Sequence, residues 1–178
     1  MSDGASVSDG PRRAYRYVGP PELRSAVRPD SAGRLVRSAA DLTAWLSVRG
    51  RAEAEEPFTF VVALDGLLRL APRRSEHVAC AGGADVLAAG EMGFRRVPGG
   101  WAVHEVTNHS TGYCPDLDSW QAVARALDRA GVAHPGRFTH EVVFRRCEEC
   151  GERSIVREGD FVCVFCGRDL PVAWNAGP

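Results

Sequence analysis

Cys147-x-x-Cys150 and Cys163-x-x-Cys166, with twelve residues between the two pairs, are the part of this sequence whose residue types and spacing fix a chemistry most narrowly. Two residues between cysteines let both thiolates face one point while backbone N–H groups approach the sulfurs. Gly151 and Gly167 follow the second cysteine of each pair and permit the tight turn that must come next. Four thiolates at about 2.3 Å satisfy tetrahedral Zn²⁺ and leave no open coordination position, so such an ion holds a fold together rather than activating a substrate. Iron suits the same sulfur set in softness and geometry. The pairs lack an internal proline and the rest of the chain offers no redox partner, so the expectation is one structural zinc ion on Cys147, Cys150, Cys163 and Cys166.

At all four ligand positions this segment resembles the zinc-ribbon family, and the resemblance covers the last part of the chain. Residues 154–157 and 161–163 flank Glu158-Gly159-Asp160 and are expected to form a hairpin that returns the second pair to the first. Zinc ribbons often bind nucleic acid, which needs a basic surface. From Arg145 to Asp169 there are five Arg against six Asp or Glu, so generic nucleic-acid binding is not expected. The ribbon reads instead as a structural cap or a protein-docking platform, with Phe161 and Phe165 as its miniature core or as anchors for a partner.

Any catalysis would reside between Arg73 and Pro115. The candidates there are His77, Glu91, Asn108, His109, Ser110, Tyr113 and Cys114, with Gly82, Gly83, Gly90 and Gly112 allowing close backbone approach. Pro98-Gly99 supplies a type II turn between 91–97 and 101–107. Residues whose numbers sum to about 198 then pair, which sets Glu91 opposite Thr107 and beside Asn108. Ser110 and Tyr113 follow from the same open end, so a cleft at the hairpin mouth is expected. Cys114 lies shortly before a helix start, where the macrodipole lowers a thiol pKa, and His109 offers it a base. A second metal site from His77-x-x-Cys80 with His109 or Cys114 is the other arrangement these types allow. His104 alternates with Ala102 and Val106 and reads as a core histidine; Cys80, in Val-Ala-Cys-Ala, reads as a small hydrophobe.

Part of this segment carries a second resemblance. Ser75-x-His77, Ala81-Gly82-Gly83, Val86 to Glu91 and Asn108-x-Ser110-x-x-Tyr113-x-Pro115 look like a stretch in C-terminal modules of bacterial polymorphic toxins and effectors. Those modules often carry Ser-Gly-His-Tyr where this chain has Ser110-Thr111-Gly112-Tyr113. The resemblance implies that His77, Glu91, Asn108, Ser110 and Tyr113 line one pocket.

These groups need a scaffold. Of the 178 residues 44% are hydrophobic and 25% charged, which is globular, and a net charge of −1 recruits neither nucleic acid nor anionic membrane. The absence of Lys and the abundance of Arg, Ala and Gly point to a GC-rich bacterial gene. No apolar stretch is long enough for a membrane helix, and Met1–Arg13 lacks the apolar core of a secretory signal. Six cysteines in such a chain imply the reducing cytoplasm.

Residues 1–13 read as a tail, 14–144 as an α+β domain and 145–178 as the ribbon. Between Arg12 and Arg37, seven Arg against Glu22 and Asp30 read as a solvated, extended wrap with one short helix. Ser38-x-x-Asp41 opens one helix that Gly50 ends, and Asp118-x-x-Gln121 opens another that Gly131 ends. Phe58 to Leu64 is a buried strand turning at Asp65-Gly66 into residues 67–70, and the alternation from Phe138 to Arg146 reads as a further strand. The fold expected is a small antiparallel sheet with two flanking helices and the ribbon on its edge. Two functions fit: an enzyme or small-ligand protein using the candidate pocket, or a non-catalytic zinc-stabilised adaptor that docks another protein.

Overall fold

The computed structural model describes residues 12–178. Its elements are α1 (Pro21–Ser25), β1 (Arg34–Val36), α2 (Ala39–Ser47), α3 (Arg51–Ala54), β2 (Phe58–Ala63), β3 (Leu68–Ala71), α4 (His77–Cys80), β4 (Val86–Val97), β5 (Gly100–Val106), α5 (Trp120–Ala130), β6 (Val143–Arg146) and β7 (Arg153–Val156). Strands β1 to β5 make one antiparallel sheet in the order β1-β3-β2-β4-β5, and β6 and β7 pair separately. The class is α+β, as the sequence implies.

The apolar run of β2 is buried on both faces because the sheet is covered on both. Phe58, Phe60 and Val62 pack with Leu42, Trp45 and Leu46 of α2 and Val123 and Leu127 of α5. Val61 and Ala89 face a second cluster built by Tyr15, Val78, Cys80 and Tyr113, with Leu23, Val27 and Trp174 at its rim. The Arg-rich segment is thus a wrap over the far face of the sheet. Tyr15 bridges to Val86 and Val18 N–H donates to the Gly112 carbonyl at 2.7 Å. Of the expected tail, residues 1–11 lie outside the described residues, while Arg13 is docked on Asp116 at 2.9 Å.

Local signals set most element ends, with four corrections. Ser38 caps α2 by accepting from Asp41 N–H at 3.1 Å, but Asp41 reaches back to Arg37 N–H rather than to Ser38. Gly50 is not left-handed (φ −62°); it precedes a further helical turn, α3. Helix α5 is entered through a 3₁₀ turn that Asp116, not Asp118, caps, whereas Gly131 ends it in the left-handed conformation, as expected. Strand β4 begins at Val86, earlier than expected, through Ala88, Ala89 and Gly90, types that give no strand signal. Gly90 is required there because a Cβ would stand 1.9 Å from the Thr107 carbonyl oxygen.

The hairpin register carries one irregularity. Val97↔Gly100 to Phe94↔Val103 sum to 197, and a bulge after Gly93 shifts Gly93↔Glu105 and Met92↔Val106 to 198. Thr107 N–H accordingly donates to the Glu91 carbonyl at 2.9 Å, the pairing predicted. The extra residue in the bulge is His104, which is exposed rather than in the core.

Candidate metal centre

The ribbon is built from two similar knuckles. Gly151 N–H closes on the Cys147 carbonyl and Gly167 N–H on the Cys163 carbonyl, both at 2.9 Å, with the glycines at φ 78° and 73°. Cys147 N–H then meets the Glu152 carbonyl and Cys163 N–H the Arg168 carbonyl, both at 2.8 Å. The expected hairpin between the pairs is corrected: β7 turns back on β6, Val143↔Val156 to Arg146↔Arg153, while residues 157–160 form the turn. Phe161 and Leu170 close a small core with Cys147 and Cys163.

The sulfur positions test the metal. A tetrahedron with bonds of about 2.3 Å has sulfur–sulfur edges of about 3.8 Å. Cys147 Sγ lies 3.6 Å from Cys166 Sγ, Cys150 Sγ lies 3.7 Å from Cys163 Sγ, and all four sulfurs fall within 4.8 Å of one another. The tetrad is therefore positioned to bind one metal ion with four protein ligands. The surroundings favour thiolate at Cys163. Burial alone would raise its pKa, but the Ser154 hydroxyl and the backbone N–H groups of Cys166 and Phe165 donate to the sulfur and bring it down to about 6. At Cys150 the Glu152 N–H lowers the pKa, yet burial and the three neighbouring thiols outweigh it and push it up to about 12. A dication removes that mutual repulsion.

The C-terminal strap is tied to the ribbon, and through Trp174 to the body, by residues that carry no sequence signature. Arg145, buried, donates to the Pro171 and Val172 carbonyls at 3.1 Å and, through its other nitrogens, to Phe144 and Val172. Asn175 exchanges two 2.8 Å hydrogen bonds with the Arg146 backbone, as a strand neighbour would. Arg153 holds the Ala176 and Gly177 carbonyls. Trp174 stacks edge-on against Tyr15 and donates from its ring nitrogen to the Cys114 carbonyl at 2.9 Å. The apolar Val172 to Trp174 run after the last cysteine is the one trace of this strap in the sequence.

The seven other candidates divide into two groups. Asn108 is fully buried; its amide donates to the Pro115 and Val142 carbonyls at 3.1 and 2.7 Å, and its oxygen accepts from Val142 N–H at 2.7 Å. Tyr113, also buried, donates to the Ala84 carbonyl at 2.6 Å. Ser110 is buried with no partner for its hydroxyl among the described residues. Cys114 packs among Val142, Phe144 and Ala176, and burial pushes its thiol up to about 11, against the lowering expected from the helix start. These four belong to the interior.

His77, Glu91 and His109 are less buried, and the Glu91 carboxylate and the His109 imidazole act on His77 electrostatically. His77 Nε2 sits 2.9 Å from the Gly90 carbonyl. Burial lowers its pKa, opposed by that carbonyl and by the Glu91 and Glu76 carboxylates, while His109 adds to the lowering. His109 is exposed, and its backbone N–H donates to Thr107 Oγ1 at 3.1 Å. Of the five residues expected to line one cleft, Asn108, Ser110 and Tyr113 turn into the interior, while His77 and Glu91 are half-buried. Cys80 is fully buried and its thiol is raised to about 12 by that burial, so it behaves as the small hydrophobe expected. Among the described residues the four ribbon cysteines are the one cluster of potential ligands close enough for a metal, which removes the His77–Cys80 alternative. Among the described residues no helix is long and apolar enough to cross a membrane. No protein-family model matches this chain, none supports the resemblance of residues 75–115 to effector modules, and no curated protein or solved structure shows significant similarity to it.

Proposed function

We propose that the tetrad holds zinc as a structural ion and that the chain is a non-catalytic, zinc-stabilised protein-binding module. The observation that carries this reading is the outward display of Val164 and Phe165 on the second knuckle, 62% and 63% exposed. Of the two phenylalanines assigned to the miniature core, Phe161 packs there and Phe165 does not. Both exposed side chains border a groove of about 440 Å³ between ribbon and body, whose floor is Val18, Phe144 and Ile155 and whose rim bears Arg157. Apolar surface rimmed by charge is the usual signature of a docking site. Zinc supports it by fixing the knuckle, and the chemistry-bearing side chains of residues 108–114 are largely committed to the interior.

The occupant is a partner segment with an apolar anchor beside an acidic residue that meets Arg157. A peptide library displayed against the full zinc-loaded chain tests this. Enriched peptides should share an apolar residue flanked by Asp or Glu. Phe165→Asp should weaken them roughly 30-fold, the loss of an interface anchor worth about 2 kcal/mol, with zinc content and melting temperature unchanged. No enrichment, or peptides indifferent to Phe165→Asp, overturns the reading.

A further inference from the structure

Beyond Met92, strand β4 is paired on one side only, so the β4–β5 hairpin overhangs the sheet. Between this overhang and the end of α2 with α3 lies a cleft of about 660 Å³, within the range of small-ligand sites. It is unrelated to the ribbon groove. Its apolar floor is Leu46, Phe94 and Trp101, a continuation of the main core opened to solvent.

The walls are cationic, in a chain whose net charge is −1. Arg96 lies over the Trp101 ring at 4.6 Å and Arg49 over the Trp45 ring at 3.5 Å, so each guanidinium is held by an indole face, and that of Arg96 keeps its edge for a ligand. Arg49 also donates to the Trp45 carbonyl at 2.6 Å, which fixes it further. His104 lines the same cleft because the bulge adds it without displacing Val103 or Val106 from the core. On the opposite wall Arg51 is bound to Glu55 at 2.9 Å and Glu53 lies 3.2 Å from Arg49. Among the described residues no carboxylate pairs with Arg96 or His104.

We propose that this cleft binds a small phosphate monoester carrying a planar apolar group, the class to which nucleoside monophosphates belong. Arg96 and His104, which line the same cleft, supply the donors a dianion needs, and the Leu46–Phe94–Trp101 floor covers the planar part. An inorganic anion would leave that floor wet, and a neutral ring would leave the cations unmatched.

The full zinc-loaded chain is titrated by calorimetry with adenosine 5′-monophosphate, adenosine and inorganic phosphate. The monophosphate should bind at least about tenfold tighter than either fragment. Arg96→Gln and His104→Gln should each weaken it by roughly fivefold or more, with the melting temperature of the ligand-free protein unchanged. If Arg96→Gln lowers the melting temperature, His104→Gln, at an exposed position, decides the matter. Monophosphate binding no tighter than inorganic phosphate, or unaffected by His104→Gln, overturns the proposal.

Discussion

Asn108→Ala separates a structural asparagine from one that serves a ligand. The side chain is fully buried and satisfies three backbone groups: the Pro115 carbonyl, the Val142 carbonyl and the Val142 N–H. It thereby staples the chain after β5 to the segment that leads into the ribbon, 34 residues away. Alanine leaves all three groups buried and unpaired, each at about 1–3 kcal/mol, and adds a small cavity. Water entering the cavity recovers part of this, so the expected loss is about 4 kcal/mol, or roughly 8–16 °C in melting temperature for a chain of this size. Asn108→Asp keeps one acceptor for Val142 N–H but turns a second oxygen toward two carbonyls, so it should cost as much or more. Urea denaturation followed by tryptophan fluorescence, with zinc held saturating, reads the difference. A loss below about 1 kcal/mol for Asn108→Ala would refute the assignment, because a buried triple hydrogen bond cannot be removed so cheaply.

Two further outcomes follow from the same structure. Metal analysis of the purified chain should return one zinc per chain and Cys163→Ser should lose it; chelation should open residues 145–170 before the sheet, since structural zinc couples on the order of 10 kcal/mol to folding of its module. The pKa of His77 is lowered in the fold by burial, so the neutral imidazole stabilises the native state above the ordinary value near 6.5, and that contribution is lost as pH falls below it toward the folded pKa. His77→Gln should flatten the acid side of the stability–pH profile with zinc saturating, and an unchanged slope would show that His77 titrates freely.

The legible parts of this fold are those fixed by neighbours in sequence. The knuckles, the α2 cap at Ser38, the turn at Asp65-Gly66 and the Gly131 stop depend on a few consecutive residues, and each was readable. The 91↔107 pairing was readable because a turn fixes register over a short span. What was not readable depends on distant partners. Ala88-Ala89-Gly90 becomes a central strand because β2 and Thr107 close on it, not because of its own preference. The bulge that exposes His104 has no sequence marker, and neither Arg145, which holds the C-terminal strap to the ribbon, nor Trp174, which joins the strap to the body, announces its role.

Polar residues concentrate between 73 and 115 for a reason that composition cannot distinguish from catalysis. The stretch from Asn108 to Asp116 is a connection folded into the interior, between the sheet face, the β6–β7 pair and the C-terminal strap. A buried connection must satisfy its backbone without water, so it recruits amides, hydroxyls and ring nitrogens, the same types an active site recruits. Asn108 and Tyr113 spend their polar atoms this way, and Trp174 does so from the strap. Donors that remain free must then be sought where the backbone is already satisfied by regular structure. That condition holds at the overhanging hairpin, where Arg96 projects from a paired strand and His104 from the bulge opposite Gly93.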